Sequence, residues 1–460
     1  MLTKDKAQDT FDRVKKFATA PEVEVLIAGG KNALTRFANN TIHQNVAEEN
    51  YVVSVRTAFD GRTARATTNK FDDESLRRCV QASEDLARVQ HPDPDLLPLA
   101  AAETFGQGPA AVRRTFFETA SVGPAERAET VGKIVEVARK RNLTTAGIYS
   151  TAETVEAVLN SRGLCAYHTQ TLAEISVTML AKDSSGWQKA NSPDVRTINA
   201  VELAETAARK ALESAAPREL PPGKYTVVLE PAAVLDLLGF AFWDWGGQAV
   251  LDERSFLNNR VGTRLFGENV TIYDDVYHPL QSGSPFDGEG VRRQRVQLVE
   301  NGVVRRLVYA RGTAEKMKKS GHAGKLGPIE ATGHGFPLPN EIGEMPINIV
   351  FGAPAQVKTT GEMVANTERG VLVTRLWYIR EVDPYEKILT GMTRDGTFLI
   401  EGGKLQGGIR NFRFNQSVIH LLSNVEEMGE PVRASGEESF DMVVPPMKVR
   451  DFNFTEVTKF

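Results

Sequence analysis

Three dipeptides constrain the fold of this chain more than any other feature: Asp60-Gly61, Asn301-Gly302 and Asp395-Gly396, each set between runs of alternating apolar and polar residues. Tight two-residue turns place their central residues at positive φ, which Asn, Asp and Gly tolerate. Alternation with a period of two marks a strand with one face buried. The runs "NALTRFANNTIHQNVAEENYVVSVRTAFDGRTARATT", "VRRQRVQLVENGVVRRLVYA" and "TGMTRDGTFLIEGGKLQGGIRNFRF" are therefore expected as β-hairpins turning at these dipeptides.

Helical periodicity is interleaved with strands in the first half. Residues 3–18 place Ala7, Phe11, Val14 and Phe17 on one face, and "EVEVLIAGG" follows as a buried strand closed by its glycines. A helix from Asp72 to Val89 opens on acids, where the positive end of the helix dipole favours them. "HPDPDLLPL" reads as a Pro-rich linker or cover strand. A second cycle brings a helix over 124–141, a strand from Thr145, a hairpin through "EAVLNSRGLCAYHTQTLAEISVTMLA" and a helix over 199–215. The Pro/Gly stretch 216–223 is the expected domain boundary. It divides an N-terminal α+β domain (1–220) from a β-rich C-terminal domain (221–460) of largely antiparallel strands. The fold class is α+β. Past the boundary, "KYTVVLE" is a strand, and Val234, Leu237, Leu238, Ala241, Phe242 and Trp245 form an apolar stripe on a helix over 231–245.

Composition narrows the function classes. The chain has 460 residues, 41% hydrophobic and 25% charged, with a net charge of −4 and no dense Lys/Arg tract, which disfavours nucleic acid as a partner. No run approaches 18 apolar residues, and the charged amphipathic N-terminus lacks the apolar core of a signal peptide, so a cytoplasmic location and no membrane partner are expected. Cys79 and Cys165 fit no metal or redox spacing and read as buried thiols of a reducing compartment.

Chemistry-bearing motifs are sparse. The histidines 43, 91, 168, 278, 322, 334 and 420 include no i, i+4 pair. His322 and His334 share a Gly-rich loop with Glu330, open to reading as a loop-built metal site but more simply as two exposed loop histidines. No nucleophile elbow or SxxK is present, and the glycine-rich runs lack the strand-to-helix setting of a phosphate loop. Asp287 and Glu289 stand two apart on a flexible loop, either an acid/base pair or ordinary turn residues. In "LVTRLWYIREVDPYEKILTG", alternation puts Arg375 and Trp377 on one face and Tyr378 and Arg380 on the other, a strand suited to lining a peptide groove or to covering a core.

Four stretches, "LTRFANNTIHQN", "SPFDGEGVRRQRVQLVENGVV", "RGVLVTRLWY" and "LTGMTRDGTFLIEGGKLQGGIRNFRFNQS", together resemble the TldD/PmbA family, once named modulators of DNA gyrase. The resemblance runs in order over essentially the whole chain. It implies an N-terminal α+β domain, a β-rich C-terminal domain and a cytosolic dimer enclosing a cavity where unfolded peptide is held as an added strand and cut. It further implies that the TldD subunit carries zinc on a His-Glu-x-x-x-His helix, completed by a distant cysteine. The matching positions here are Trp243, Asp244, Gln248 and Ser435. An indole cannot ligate zinc, and an amide ligates it poorly compared with imidazole. The chain thus resembles the TldE/PmbA-like branch, with no metal or other cofactor of its own and zinc expected in a TldD-type partner. Three functions follow: a non-catalytic subunit pairing with a TldD-type chain or with itself; a self-sufficient metallopeptidase using other ligands (His278, His322, His334); or a non-enzymatic peptide-binding or regulatory protein.

Overall fold

The computed structural model describes residues 1–102, 112–321 and 326–458. The first half builds helices α1 (Lys4–Phe17), α2 (Asp73–Val89), α3 (Phe117–Ala120), α4 (Pro124–Lys140) and α5 (Ala200–Glu213) around six strands. These are β1 (Glu22–Ala38), β2 (Thr41–Phe59), β3 (Arg62–Thr68), β4 (Thr144–Asn160), β5 (Cys165–Leu180) and β6 (Ser185–Ser192). They form one antiparallel sheet in the order β3-β2-β1-β4-β5-β6. Asp60 and Gly61 take φ values of 46° and 77° at the β2–β3 turn, as the dipeptide requires. Asp72 caps α2 by accepting the Ser75 amide at 2.9 Å.

Odd-numbered positions of the central strands face the helices. Val23, Val25 and Ile27 pack with Phe11, Val14 and Leu76 of α1 and α2. Tyr149, Ile175 and Val177 pack with Val131 and Ile134 of α4 and the alanines of α5. Part of the opposite face meets the second half of the chain, where Val158 and Ala166 bury against Phe286 and Val291. Cys79 is buried but Cys165 is only half-buried, contrary to the expectation for both thiols. The 91–99 stretch contains neither helix nor strand.

Gly29 and Gly30 do not close β1, which runs through them for 17 residues. Their role is close approach: a Cβ at Gly29 would lie 2.2 Å from the Asn50 carbonyl oxygen, and one at Gly30 2.0 Å from that of Glu153. Both neighbouring strands press on the bare backbone at one level.

The second half contributes β7 (Gly223–Leu229), α6 (Pro231–Phe242), α7 (Gly247–Leu251), β8 (Ile272–Asp274), β9 (Val296–Glu300), β10 (Val303–Val304), α8 (Arg311–Lys319), β11 (Ile349–Phe351) and α9 (Thr360–Ala365). Then come β12 (Arg369–Asp383), β13 (Ile388–Glu401), β14 (Lys404–Gly408), β15 (Phe412–Ser417), α10 (Val418–Ser423), β16 (Val425–Met428), β17 (Val432–Ala434), β18 (Met442–Val444) and β19 (Met447–Val457). One sheet orders β10-β9-β8-β11-β18-β17. In the other, β12-β7-β19-β15-β13 closes on itself through the β12–β13 pairing, with β14 and β16 attached outside the ring. Phenylalanines of its strands pack together, Phe412 stacked on Phe454 at 4.6 Å and Phe452 tilted against Phe454 at 5.0 Å between ring centroids. Pairing is antiparallel except for β7–β12 and β11–β18.

Asn301-Gly302 turns the β9–β10 hairpin as expected. Asp395-Gly396 does not turn: β13 runs straight through it, and the reversal comes at Gly402-Gly403. Its φ values of 52° and 113° serve a bulge, where the pairing steps from Val373↔Thr397 to Arg375↔Arg394.

Replacing Gly30 with alanine is expected to cost at least ~2 kcal/mol, because β1 and β4 must separate to admit the methyl group. Gly163→Ala has open space for its Cβ and only the φ of 84° to strain it, so its cost is expected nearer ~1 kcal/mol. Urea unfolding of the two variants checks the ordering.

Candidate functional site

Helix α6 buries its whole apolar stripe but stops at Phe242, three residues before the expected end. The Asp244 and Trp245 amides bond back only three residues, to Ala241 and Phe242, which tightens the last turn. Trp245 is buried from outside the helix, its Nε1 donating to the Arg306 carbonyl at 3.1 Å and its ring against Phe242, Phe256 and Phe266. Gly246 and Gly247 then pass where a Cβ would meet the Glu344 carbonyl oxygen and the Tyr309 ring, each at 2.5 Å. Trp243 and Gln248 therefore stand on either side of a break rather than on one helical face.

Each of the four positions matched to a zinc site has another occupation. Trp243 is 47% exposed at the end of α6. Asp244 is buried and accepts from the Lys387 ammonium at 2.6 Å, and Lys387, itself 2% exposed, also pairs with Glu381. Burial raises the Asp244 carboxyl, and Lys387 opposes that shift. Gln248 donates its side-chain amide to Asp252 at 2.7 Å. Ser435 is buried beside Gly436, whose place a Cβ cannot share, being 2.1 Å from Asp236 Oδ1. An indole, an amide, a hydroxyl and a carboxylate already neutralised by an ammonium do not fit a zinc ion. Among the described residues no cluster of three or more His, Cys, Asp or Glu could hold a metal.

The histidines do not converge. His322 lies outside the described residues. His334 is buried rather than exposed, with Nε2 2.9 Å from Asp274 and Nδ1 3.0 Å from the Thr332 hydroxyl. Burial works to raise the Asp274 carboxyl, but His334, Arg293 and the Asn348 amide together hold it low. His278 accepts the Leu280 amide at 3.3 Å, and burial lowers its pKa. Glu330 pairs with Arg306 at 3.2 Å.

Asp287 and Glu289 are buried, not carried on an open loop. Asp287 accepts the amides of Glu289, Val291 and Gly335, and Glu289 pairs with Arg311. Burial raises both carboxyls, and Glu289 raises Asp287 further. Sequence reasoning missed a third carboxylate beside them. Glu344 accepts the amides of Gln248 at 2.8 Å and Ala310 at 3.0 Å, holding the starts of α7 and α8 together, and burial pushes it up to about 7. Gln248 and Glu289 line one hollow of about 240 Å³ with Thr313, Lys316 and Asn340.

The β12 candidates divide by exposure. The Arg375 guanidinium lies between the rings of Trp187 and Trp377, at 4.8 and 5.5 Å, and its Nε donates to Asp395 at 2.8 Å. Asp395 also accepts the Ser185 hydroxyl at 2.5 Å, tying the bulge to β6. Tyr378 is 53% exposed at a φ of 56°, with Arg380 stacked on it at 4.5 Å and its amide donating to Glu438 at 2.8 Å.

Two tests follow from these contacts. Arg375→Ala leaves the buried Asp395 carboxylate with only the Ser185 hydroxyl and the more distant Arg394 guanidinium, at 3.6 Å, and is expected to cost ~3 kcal/mol, whereas exposed Tyr378→Ala stays within ~1 kcal/mol. Chemical denaturation of both variants checks this. Asp236 accepts the Glu437 and Glu438 amides through Oδ1 alone, and burial pushes it up to about 7. A raised carboxyl contributes stability that is present below its unfolded value, near pH 4, and lost as pH climbs through about 7. Asp236→Asn keeps the acceptor and removes the titration. Its stability relative to wild type is expected to rise from pH 4 to pH 8, by ~1.4 kcal/mol for each pKa unit of separation. A difference flat with pH would mean that the folded carboxyl is ionised throughout.

Comparison with known proteins agrees with this architecture. Three family models match in order: PmbA/TldA metallopeptidase domain 1 over residues 23–87, the central domain over 117–215 and the C-terminal domain over 222–456. The chain is 23% identical over 318 residues to metalloprotease PmbA of Escherichia coli O157:H7, covering 65% of this chain and 68% of that one. It superposes on TldE from Thermococcus kodakarensis with a TM-score of 0.84 at 19% identity, over 98% of this chain and 99% of that one. A candidate modulator of a DNA gyrase from Thermotoga maritima gives 0.85 at 20% identity, over 98% and 100%. With its C-terminal half matched from residue 222 to 456 and the two preceding domains matched in order, the chain belongs to the PmbA/TldD family.

Proposed function

We propose that this chain is a TldE-like, non-catalytic subunit of a peptidase assembly acting on small or unfolded peptides in the cytoplasm, in which a TldD-type partner supplies the zinc. The observation that carries this reading is the ion pair at the degenerate site. The Asp244 carboxylate, matched to a zinc-site position, is held by the buried Lys387 ammonium. Bringing a divalent cation beside that ammonium would set like charges against each other in a site nearly closed to water. The alternative of other ligands loses support from His334, whose Nδ1 bonds the Thr332 hydroxyl and whose Nε2 lies 2.9 Å from the Asp274 carboxylate rather than near another histidine. The chain's own contribution is to bind and orient peptide. Exposed Tyr378 on β12, with exposed Arg380 stacked on it, is the groove candidate open to an extended segment.

Bound zinc contributes ~10 kcal/mol or more, so an occupied site would survive purification. Elemental analysis of the purified chain is expected to find well under one equivalent, and peptide cleavage is expected only when a TldD-type chain is added. One equivalent of zinc, lost on mutating His334, would overturn the reading. Restoring Trp243→His, Asp244→Glu, Gln248→His and Ser435→Cys is expected to bind zinc poorly while Lys387 remains. Adding Lys387→Met to that variant should strengthen zinc binding, read by competition with a chromophoric chelator. No gain from Lys387→Met would remove the ammonium as the obstacle.

A further inference from the structure

Strand β12 changes phase part-way along. Leu376 and Ile379 stand three positions apart, yet both are fully buried in the core of the second half. Strict alternation cannot put both on one face, so one extra residue lies between them. The ladder shows where: Trp377 pairs with Met392 and Arg380 with Thr390, leaving Tyr378 and Ile379 opposite Gly391 alone. In a regular strand, positions 378, 380 and 382 would follow Leu376 into the core. The bulge turns Tyr378, Arg380 and Val382 outward instead, and all three are exposed.

Tyr378 carries the bulge at a φ of 56°. Glycine takes such a position freely, and asparagine or aspartate with little strain, whereas an aromatic residue there is held against its preference. Among the described residues it is the only aromatic one at positive φ. Glu438 does the holding. Its carboxylate accepts the Tyr378 amide at 2.8 Å and the Ile379 amide at 3.3 Å, the two amides of the bulge. Glu438 is itself fixed from behind, its own amide donating to buried Asp236 at 3.1 Å. The nearby Gly436 carbonyl accepts from Lys189 at 3.0 Å. Arg380 lies 4.5 Å from the Tyr378 ring centroid and 3.9 Å from Glu438, so a guanidinium covers one face of the ring and the other stays open.

We propose that Tyr378 is a specificity-determining residue that selects aromatic side chains of the bound peptide by stacking on its open ring face, and that Glu438 is the positioning residue that keeps the ring turned outward. This rests on the reading of the chain as a peptide-holding subunit and names the side chain that it selects. A glycine would serve the bulge without strain, so what the position supplies is the ring. The surroundings decide the class of side chain. A lysine or arginine of the peptide is repelled by Arg380. A carboxylate meets the negative face of the ring and an arginine already shared with Glu438. A flat apolar side chain meets neither obstacle and gains the stacking contact. Val382, two positions beyond Arg380 and 58% exposed, extends the apolar surface along the strand.

The test mixes the full chain with its TldD-type partner and compares unfolded peptides in which a single phenylalanine, scanned along the sequence, replaces alanine. At its best position the phenylalanine is expected to lower KM ~10-fold with kcat little changed. Tyr378→Ala is expected to remove that difference by raising the KM of the phenylalanine peptide alone. Glu438→Ala is expected to do the same with the ring still present. Glu438→Gln keeps an oxygen for the Tyr378 amide and is expected to bring KM back to within ~3-fold of wild type. In the isolated chain, Tyr378→Gly is expected to melt above Tyr378→Ala, because only glycine takes this φ without strain. Cleavage that needs both chains but shows one KM for all peptides, or a KM untouched by Glu438→Ala, overturns this inference and leaves the proposed function standing. An alanine variant that melts above the glycine variant also overturns it. A mixture that cleaves none of the peptides overturns both.

Discussion

The Arg375–Asp395 ion pair is the contact on which the rest of the molecule depends. It holds the bulge at which the pairing of β12 with β13 first shifts register within the closed ring of strands. The same guanidinium stacks on Trp187 of β6, and Asp395 accepts from Ser185, so the edge of the first sheet is fastened to the bulge of the second. One buried pair therefore sets a strand's curvature and the seating of one half of the chain on the other. Its charges tolerate burial because each has a partner and the aromatic faces exclude water.

A second buried pair, Asp244 with Lys387, supplies a positive charge that allows a carboxylate to be buried. The lysine comes from the connection between β12 and β13. Glu344 meets a related need nearby, satisfying amide donors where α7 and α8 begin.

Much of this was legible in the sequence, and what was not has identifiable causes. Two of three dipeptide turns, the amphipathic helices and the paired long strands follow from local pattern, because a turn or a stripe needs only nearby residues. Asp395-Gly396 misled because a bulge asks for the same positive φ as a turn, and only the distant Arg375 decides between them. The stripe on α6 extended to Trp245 because that indole is buried, but by residues beyond the helix. Asp287, Glu289 and His334 read as loop residues because glycines flank them, and burial of a charged loop comes from tertiary packing alone. Lys387 and Glu344 gave no local signal. The degenerate positions were visible only through resemblance, since a tryptophan in place of a ligand looks like any other tryptophan.

The closed ring of strands has a consequence for how the chain is made. Strand β7 ends at Leu229, yet its two neighbours are β12, beginning at Arg369, and β19, beginning at Met447. The first sheet is complete once Ser192 has emerged from the ribosome. Strand β7 must then wait, unpaired on both sides until β12 is made and on one side until β19 is made near the end of the chain. Its Val227, Val228 and Leu229 are fully buried in the finished molecule and exposed until then. Slow translation across the second half would lengthen that wait and the exposure of an apolar strand with it.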